Sequence, residues 1–274
     1  MASTQEEKAL RFRGLHGGPG AFVIPNPWDV GSARLLAGLG FSALATSSAA
    51  SAAVLGRRDG RLSRDEALAH ASSIVAATDL PVSADLEAGF GGAPETVAET
   101  VRMAAEAGLV GCTIEDATGR AESPLFDFDH AVERITAAVE ATRALPFPFM
   151  LTARAHGFLF AAPRLDEVIQ RLQAFERAGA EVTFAPGLPD LAAIRSVCSA
   201  LSKPFNFMVG IKGRSFTVAE LENAGVRRIS LATSLFRAAM TGFLAAAREV
   251  KDKGRFDYVE GCVVSSELNA LMGV

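Results

Sequence analysis

The segment PVSADLEAGFGG, residues 81–92, begins as a buried strand and ends in two carboxylates followed by glycines. Side chains two positions apart on a strand point to the same side, so Asp85 and Glu87 are expected to face the same space. Two negative charges held that close disfavour each other unless something positive lies between them. The segment therefore raises the question of which positive partner it serves.

Apolar runs of strand length recur along the chain, and each is followed by a stretch with helical spacing. The predicted strands cover residues 21–26, 41–48, 80–87, 110–116, 147–154, 180–186, 203–209 and 226–232. Continuous apolar runs are typical of parallel strands that are covered on both faces. Eight β-then-α units predict an α/β protein with a (β/α)8 TIM-type barrel, as one domain over residues 1–274. A doubly wound open sheet is the alternative.

Start signals and residue content predict the helices. Two helices begin with the spacing of a capping box, Ser63 with Glu66 and Thr217 with Glu220, and Asp29 is placed to cap the helix after the first strand. Periodicity and composition predict further helices over residues 93–107, 129–143, 165–178 and 189–201.

The chain continues beyond the eighth unit. We expect a C-terminal helical extension at about residues 250–274, in which SSELNALM, residues 265–272, forms an extra helix with an apolar face. Such a helix has to cover its apolar face, so it is expected to pack on the barrel or on a neighbouring subunit.

Composition excludes several classes of protein. The 274 residues are 49% hydrophobic and 21% charged, with a formal net charge of −4, which does not favour nucleic acid or an anionic membrane surface as a partner. No apolar run is long enough to predict a membrane span, and the polar N-terminal segment does not resemble a secretory signal. Three scattered cysteines favour neither a disulfide framework nor a zinc site, and a cytoplasmic location is expected.

In such barrels the site lies at the C-terminal ends of the strands, where this sequence places several acids. Asp85 and Glu87 end the third predicted strand and Glu115 ends the fourth. Adjacent strands are about 5 Å apart, so the three carboxylates are expected to converge on a hard cation, Mg²⁺ or Mn²⁺. The alternative is that these acids cap neighbouring helices or pair with arginines.

Other candidates stand at neighbouring strand ends. Arg154 is expected to grip a substrate carboxylate through two parallel hydrogen bonds, or else to form a structural salt bridge with one of the acids. His156 is a candidate acid or base, with an ordinary loop residue as the alternative. Asn206, on the seventh strand, is counted with the substrate-binding residues. The small residues of ATSSAAS, 45–51, are expected to let an anionic group approach backbone N–H groups.

Five motifs, taken in order over about residues 20–240, resemble the isocitrate lyase / phosphoenolpyruvate mutase superfamily. They are NPWDVGSARLLAGLGFSALATSSAASAAVLGRRDG (26–60), PVSADLEAGFGG (81–92), GLVGCTIEDATG (108–119), LTAR (151–154) and GVRRISLATSLFRAA (225–239). The resemblance implies an (α/β)8 barrel that binds an α-keto acid or its enolate. It also implies a Mg²⁺ site formed by Asp85, Glu87 and Glu115.

The same resemblance implies roles for other residues. Backbone amides of Ser47, Ser48 and Ala49 would hold one carboxylate, Asp59 would approach the metal waters or the substrate, and Arg154 would grip the substrate. Members of the superfamily commonly form tetramers that exchange a C-terminal helix. A homo-oligomer, dimer or tetramer, is therefore expected.

The sequence departs from the superfamily after the fourth strand. Lyases carry K-[KR]-C-G-H on a loop there, whereas EDATGRAESPLFDFDHAVERI, residues 115–135, has no cysteine and lacks the longer Lys- and Asn-containing loop of the mutases. TARAH, residues 152–156, also departs from the more frequent NARTD. Decarboxylation needs fewer groups than cleavage, because cleavage also requires a general base and a proton donor, here Asp59, His156 or a metal-bound water.

The expected function is a Mg²⁺-dependent C–C lyase or decarboxylase acting on a small 2-oxo or 2-hydroxy (di)carboxylic acid. Two alternatives remain open. One is a mutase or hydrolase acting on a phosphonopyruvate-like C–P bond, and the other is a non-catalytic 2-oxo acid binder.

Overall fold

The computed structural model describes residues 3–160 and 164–273, and its centre is an eight-stranded parallel sheet. The strands are β1 Phe22–Ile24, β2 Leu44–Ala45, β3 Val82–Asp85, β4 Gly111–Glu115, β5 Met150–Arg154, β6 Val182–Phe184, β7 Phe205–Met208 and β8 Arg228–Ser230. Each lies inside a predicted segment but is shorter, because the chain leaves the sheet before the apolar run ends.

The order of the strands, β1-β8-β7-β6-β5-β4-β3-β2, makes β1 and β2 the two sides of a single seam. Across this seam the Ala45 N–H donates to the carbonyl oxygen of Pro25 at 3.1 Å, and the Asn26 amide donates to the carbonyl oxygen of Thr46 at 3.0 Å. The sheet therefore forms a nearly closed barrel. The predicted (β/α)8 fold is confirmed, and the open doubly wound sheet is wrong.

Helices surround the barrel, and the predicted caps are present. They are α1 Gln5–Gly17, α2 Val30–Gly38, α3 Ser48–Val54, α4 Arg64–Ala77, α5 Pro94–Glu106, α6 Phe128–Arg143, α7 Gly157–Phe160, α8 Leu165–Ala178, α9 Leu191–Ser199, α10 Val218–Asn223, α11 Ser234–Lys253 and α12 Ser265–Met272, with a 3₁₀ helix at Asp257–Gly261. Both capping boxes form as expected, and the Asp29 side chain accepts from the Ser32 N–H at the start of α2.

Helix α1 was not predicted, although its own capping box, Thr4 with Glu7, is visible in the sequence. Its Phe12 is fully buried in a cluster with Ile24, Met150 and Val182 from three strands. These strand residues, with others near the strand starts, place α1 under the N-terminal end of the barrel. The helix thus closes the end opposite to the expected site.

The inside of the barrel is unusually polar. Helices and strands enclose an apolar core, but the side chains that line the barrel interior include Ser83, Thr113, Asn206 and Arg228, all buried. Branched apolar residues usually fill this space. Polar groups there have to find partners, and they leave a small cavity that is described with the site.

The C-terminal tail forms the predicted extra helix. Helix α12 covers SSELNALM and packs against α2, so close that a Cβ added to Gly38 would lie 1.9 Å from the carbonyl oxygen of Leu271. Helix α11 continues to Lys253 and exposes Phe243 and Leu244, and none of its twenty residues is buried. The last residue of the predicted extension, 274, lies outside the described residues. No helix in the described chain is long and apolar enough to cross a membrane.

The buried His16 on α1 makes the fold sensitive to mild acid. Burial and the nearby Arg228 lower its pKa from 6.5 to about 3. Between these values the unfolded chain binds the proton and the folded protein does not, so the free energy of unfolding falls as pH decreases below about 6.5. We expect a loss that approaches about 1.4 kcal/mol for each pH unit within this window.

Urea denaturation at pH 7, 6 and 5 measures this loss. His16→Leu should flatten the slope with pH, while His130→Gln, at a half-buried position of α6, should keep the wild-type slope. Identical slopes for His16→Leu and the wild type would contradict the assignment.

Candidate active site

The C-terminal ends of the strands open into a cleft of about 910 Å³. Its lining includes Asp59, Glu87, Glu115, Arg154 and His156. A second, smaller cavity of about 50 Å³ lies inside the barrel, and Arg154 lines both spaces. The residues predicted to act together are thus at one end of the barrel, as the fold requires.

Asp85, at the end of β3, is held in place by hydrogen bonds from two sides. Its Oδ2 accepts from the Ser48 hydroxyl at 3.2 Å and from the Ser48 N–H at 3.5 Å, and its Oδ1 accepts from the Glu87 N–H at 3.2 Å. Burial raises the pKa of Asp85, Arg154 opposes the shift, and Glu115 adds to it. Ser48 therefore orients a carboxylate of the protein itself.

Glu87 does not lie on a strand, and this part of the prediction is wrong. Strand β3 ends at Asp85, and Glu87 follows in the left-handed region with φ of 50°. For a residue other than glycine this conformation costs about 1–3 kcal/mol and is concentrated at functional sites. The Glu87 carbonyl oxygen accepts from the Glu115 N–H at 2.9 Å, which fixes the two acidic residues side by side.

The Glu87 carboxyl has a strongly raised pKa. Burial, followed by the charges of Asp85, Asp59 and Glu115, raises its pKa to about 7. No basic group opposes the shift, in contrast to Asp85. The protein therefore concentrates negative charge here without compensating it.

A buried arginine on α6 holds the glycine segment that follows Glu87. The Arg134 guanidinium donates to the carbonyl oxygens of Gly91 at 2.6 Å and Gly92 at 2.7 Å, and also to that of Ala88. It lies over the Phe126 ring with 4.0 Å to the centroid and is 1% exposed. The sequence analysis missed Arg134; the available signal was an arginine on the apolar face of the predicted helix 129–143.

Glu115 lies between two basic side chains. Its Oε2 is 3.3 Å from Nη1 of Arg154 and 3.1 Å from Nδ1 of His156. Burial alone would raise the Glu115 pKa, but Arg154 and His156 outweigh it and bring that pKa below its ordinary value. Arg154 also lies 3.7 Å from Oδ2 of Asp85, so it makes the salt bridges that were the alternative to substrate binding.

Arg154 retains capacity to bind a ligand, because its Nε is buried without a hydrogen-bond partner among the described residues. The His156 ring stacks on Phe160, with 4.8 Å between the ring centroids. The backbone N–H of His156 donates to Oδ1 of Asp116 at 2.7 Å, and the other oxygen of Asp116 lies 3.4 Å from Nη1 of Arg171. Asp116 therefore positions the segment that carries His156 and does not face the cleft with Glu115.

The residues implied by the resemblance lie at different depths. Asp59 is exposed on the loop between α3 and α4, and its charge contributes to the raised pKa of Glu87, so it stands at the rim of the cleft. Ser47 is buried just before α3, and Ala49 is half-buried in the first turn of that helix. Their role in binding a carboxylate stays a prediction.

Asn206 lies deeper, on the inner wall of the barrel. Its Oδ1 accepts from Nε of Arg228 at 2.8 Å, and its Nδ2 donates to Oγ of Ser230 at 3.0 Å. All three residues line the small interior cavity. Asn206 thus holds Arg228, a buried cation that was not predicted as a site residue. Nothing in the local sequence distinguishes Arg228 from Arg227.

The carboxylates fit a hard dication by their chemistry. In residues 3–160 and 164–273, no group of three or more acidic, histidine or cysteine side chains is placed so that it could hold a metal ion. Mg²⁺ does not require such a group, because it keeps several waters and is usually held by one or two carboxylates together with the substrate. Asp85, Glu87 and Glu115 supply oxygen donors and uncompensated negative charge, which suit Mg²⁺ or Mn²⁺.

The loop after β4 is short and closed. Ala117 and Leu125 form an antiparallel bridge, and the Thr118 N–H donates to the carbonyl oxygen of Pro124 at 2.9 Å. Cys112, on β4, is fully buried, and burial raises the pKa of its thiol well above the ordinary value. This thiol is therefore no source of protons for the cleft.

A barrel with acids, a guanidinium and an imidazole around one cleft at its strand ends belongs to the class of barrel enzymes that act on small molecules. The chain belongs to the family described as phosphoenolpyruvate phosphomutase, whose sequence model matches residues 12–251. This confirms the resemblance to the isocitrate lyase / phosphoenolpyruvate mutase superfamily, which includes carbon–carbon lyases.

Similar proteins and structures extend over most of the chain. A putative lyase/mutase from Burkholderia cenocepacia J2315 is 50% identical with a TM-score of 0.96, covering 98% of this chain and 97% of the other. A 2,3-dimethylmalate lyase of the PEP mutase/isocitrate lyase superfamily is 29% identical with a TM-score of 0.86, covering 99% and 96%. An oxaloacetate decarboxylase from Ectopseudomonas mendocina (strain ymp) is 32% identical, covering 74% of this chain and 70% of the other.

Arg134→Met should loosen the segment that sets the position of Glu87. Three partly buried carbonyl oxygens would lose a charged donor, and we expect a loss of about 3 kcal/mol in the free energy of unfolding. Amide hydrogen exchange of residues 87–92 should accelerate more than that of the strands. Arg102→Met, at an exposed position of the neighbouring helix α5, is the control. Unchanged exchange in residues 87–92 would exclude a clamping role.

Proposed function

We propose that the protein is a Mg²⁺-dependent C–C lyase or decarboxylase that acts on a small 2-oxo or 2-hydroxy dicarboxylic acid. The observation that carries the proposal is that Glu87, Glu115 and Arg154 line one cleft, while Asp85 lines the small cavity next to it and lies 3.7 Å from Arg154. Oxygen donors with a surplus of negative charge are arranged for a hard cation, and a guanidinium next to them is arranged for a carboxylate.

The metal site would be formed by Asp85, Glu87 and Glu115, which would hold Mg²⁺, or Mn²⁺ in its place, directly or through water. When bound, the dication supplies Lewis acidity that stabilises negative charge developing on a keto oxygen. The raised pKa of Glu87 supports its place in this set, because a cation would relieve the repulsion that now favours its protonated form.

The substrate would be bound by side chains on the opposite side of the cleft. Arg154 would use its free Nε and part of its fork for a carboxylate, while its contact with Glu115 fixes the plane of the guanidinium. Backbone amides of Ser47, Ser48 and Ala49 would contribute from the start of α3, and the Ser48 N–H would give up its 3.5 Å contact with Asp85 to do so. Asn206 would act from inside the barrel.

Proton transfer would fall to His156 or Asp59. His156 is 3.1 Å from Glu115, which orients its ring, and Asp59 stands at the solvent side of the cleft. The absence of a cysteine from residues 115–135 favours decarboxylation, because carbon dioxide leaves without a protein acid. The resemblance to an oxaloacetate decarboxylase supports the same choice.

A second function is favoured by one observation. The matching family model is described as phosphoenolpyruvate phosphomutase, so mutase or hydrolase chemistry on a C–P bond is the alternative. The third possibility is a 2-oxo acid binder without turnover. The same assay distinguishes all three.

The decisive assay uses the purified protein with Mg²⁺ and a panel of 2-oxo acids that includes oxaloacetate and phosphonopyruvate, followed for carbon dioxide, pyruvate and phosphate. We expect product from a dicarboxylic acid above the metal-only background, and Asp85→Asn should reduce kcat/KM at least about 100-fold, equivalent to about 2.7 kcal/mol. EDTA should abolish activity of the wild type, and excess Mg²⁺ should restore it.

Asp65→Asn, at an exposed position of α4, is the matched control and should keep full activity. Phosphate release would identify the C–P alternative. Thermal stabilisation by 2-oxo acids without any product would identify a binder. Activity that persists in EDTA would refute the metal assignment.

We also propose that the protein forms a homo-oligomer, a dimer or tetramer in which the C-terminal helical segment contributes to the interface. None of the twenty residues of α11 is buried, and its exposed side chains include Phe243 and Leu244. The segment that follows α11 exposes further apolar side chains. Such a surface is typical of an interface. A cytoplasmic location is proposed with it, because all three cysteines are free.

Analytical ultracentrifugation tests the oligomer. Because Phe243 is 62% exposed in the single chain, Phe243→Asp should leave the barrel folded but dissociate the assembly to monomers. Lys251→Asp, on the same helix, is the control and should assemble as the wild type does. A wild-type protein that sediments as a monomer would exclude the interface.

A further inference from the structure

Arg228 is a buried cation that forms no ion pair with any carboxylate in residues 3–160 and 164–273. It lies on β8, is 4% exposed and donates through Nε to Asn206. Its Nη1 is buried without a hydrogen-bond partner in the part of the chain that the structure describes. Burial alone lowers its pKa, to about 9, and no carboxylate opposes that shift.

The other buried arginines of the barrel are compensated. Arg134 donates to three carbonyl oxygens, and Arg154 contacts the carboxylates of Asp85 and Glu115. An isolated charge in a protein interior costs several kcal/mol unless it is paired. Arg228 therefore differs from its neighbours in lacking the partner that its burial requires.

The unpartnered guanidinium faces a space that is built for a polar group. The interior cavity of about 50 Å³ is lined by Ser83, Thr113, Asn206, Arg228 and Ser230, among others. One water needs about 10–15 Å³ of such space, so the cavity accepts a few waters or a group the size of a carboxylate. It is too small for a whole substrate.

The same cavity lies next to the proposed site. Asp85, Ser47 and Arg154 also line it, and Arg154 lines the larger cleft as well. A ligand that binds Arg154 from the cleft would therefore have its other end directed towards the barrel interior. The end that it places there meets a guanidinium, an amide and a hydroxyl, which together favour an anion.

We propose that Arg228, held by Asn206 and with Ser230 beside it, forms an anion subsite at the floor of the cleft that receives a carboxylate group. In the substrate this is the carboxylate remote from the keto group, an assignment that rests on the proposed function. The subsite selects dicarboxylic over monocarboxylic 2-oxo acids, because a monocarboxylic acid would leave the buried charge unpaired.

The first test needs neither metal nor turnover. Formate, the smallest carboxylate, is added in EDTA to the wild type, to Arg228→Met and to Arg227→Met. Arg227 precedes Arg228 in the chain, but its guanidinium contacts the carbonyl oxygens of Gly18 and Gly20, so it is the matched control. Formate should raise the Tm of the wild type and of the control equally, and raise that of Arg228→Met by less, because Arg154 remains there to bind a carboxylate.

A crystal structure of the wild-type protein with formate makes the test independent of how the variant folds. We expect a carboxylate within hydrogen-bond distance of Nη1 of Arg228. Water alone at that position, or the same formate response in Arg228→Met as in the wild type, would overturn the subsite.

The second test addresses the substrate. With Mg²⁺, Arg228→Met should raise the KM for oxaloacetate tenfold or more, while the inhibition constant of pyruvate stays within twofold. An equal loss for both ligands would show that Arg228 acts only on the fold. If the wild type processes no 2-oxo acid, the proposed function fails, and the formate experiment still decides whether the anion subsite exists.

Discussion

Repulsion among three carboxylates is the constraint around which the site is built. Asp85 and Glu115 end two adjacent strands, and Glu87 follows the first of them. The charge of Glu115 raises the pKa of Asp85, and the charges of Asp85 and Glu115 raise that of Glu87. The protein relieves Glu115 with Arg154 and His156, and it relieves Asp85 with Arg154 and hydrogen bonds from neighbouring groups. Glu87 alone of the three has no basic partner, so the unrelieved charge of the cleft is centred there.

The position of the Glu87 carboxylate is set by the loop that follows β3 and not by the strand itself. Glu87 takes a left-handed conformation, which an L-residue adopts at a cost, and Phe90 does the same three residues later. Arg134 compensates by donating to the carbonyl oxygens of the intervening and following residues. Arg134, a buried cation on α6, thus holds the segment in which Glu87 adopts its strained backbone conformation. The same hydrogen bonds satisfy the buried guanidinium and fix the strained segment.

The sequence predicted the fold because the barrel is specified by local signals. Each strand is an apolar run, and five of the twelve α-helices in the described residues begin with a residue whose side chain caps them, as at Ser63 and Thr217. Placing the site at the strand ends followed from the fold class and led to Asp85, Glu115 and Arg154. Helix α1 was missed because its apolar residues are few, although Thr4 and Glu7 signalled its start.

The sequence could not predict features that depend on contacts between distant segments. The conformation of Glu87 is set by α6 and β4, and the pairing of Arg154 with both acids depends on the arrangement of three strands. The two arginines 227 and 228 are adjacent, yet one contacts backbone carbonyls outside β8 and the other enters the barrel. Strand alternation separates their directions, but only the closed barrel determines what each one meets.

The polar barrel interior links stability to binding. Filling this space with branched apolar side chains would stabilise the fold, since buried polar groups gain little beyond replacing their lost hydration. The chain instead places Ser83, Thr113, Asn206 and Arg228 there and keeps a cavity among them. These buried polar side chains cost folding free energy, but they present fixed hydrogen-bond donors to an anion. The protein with an anion bound is therefore stabilised relative to the protein without one. The interior of the barrel is therefore better understood as the lower part of the site than as part of the core.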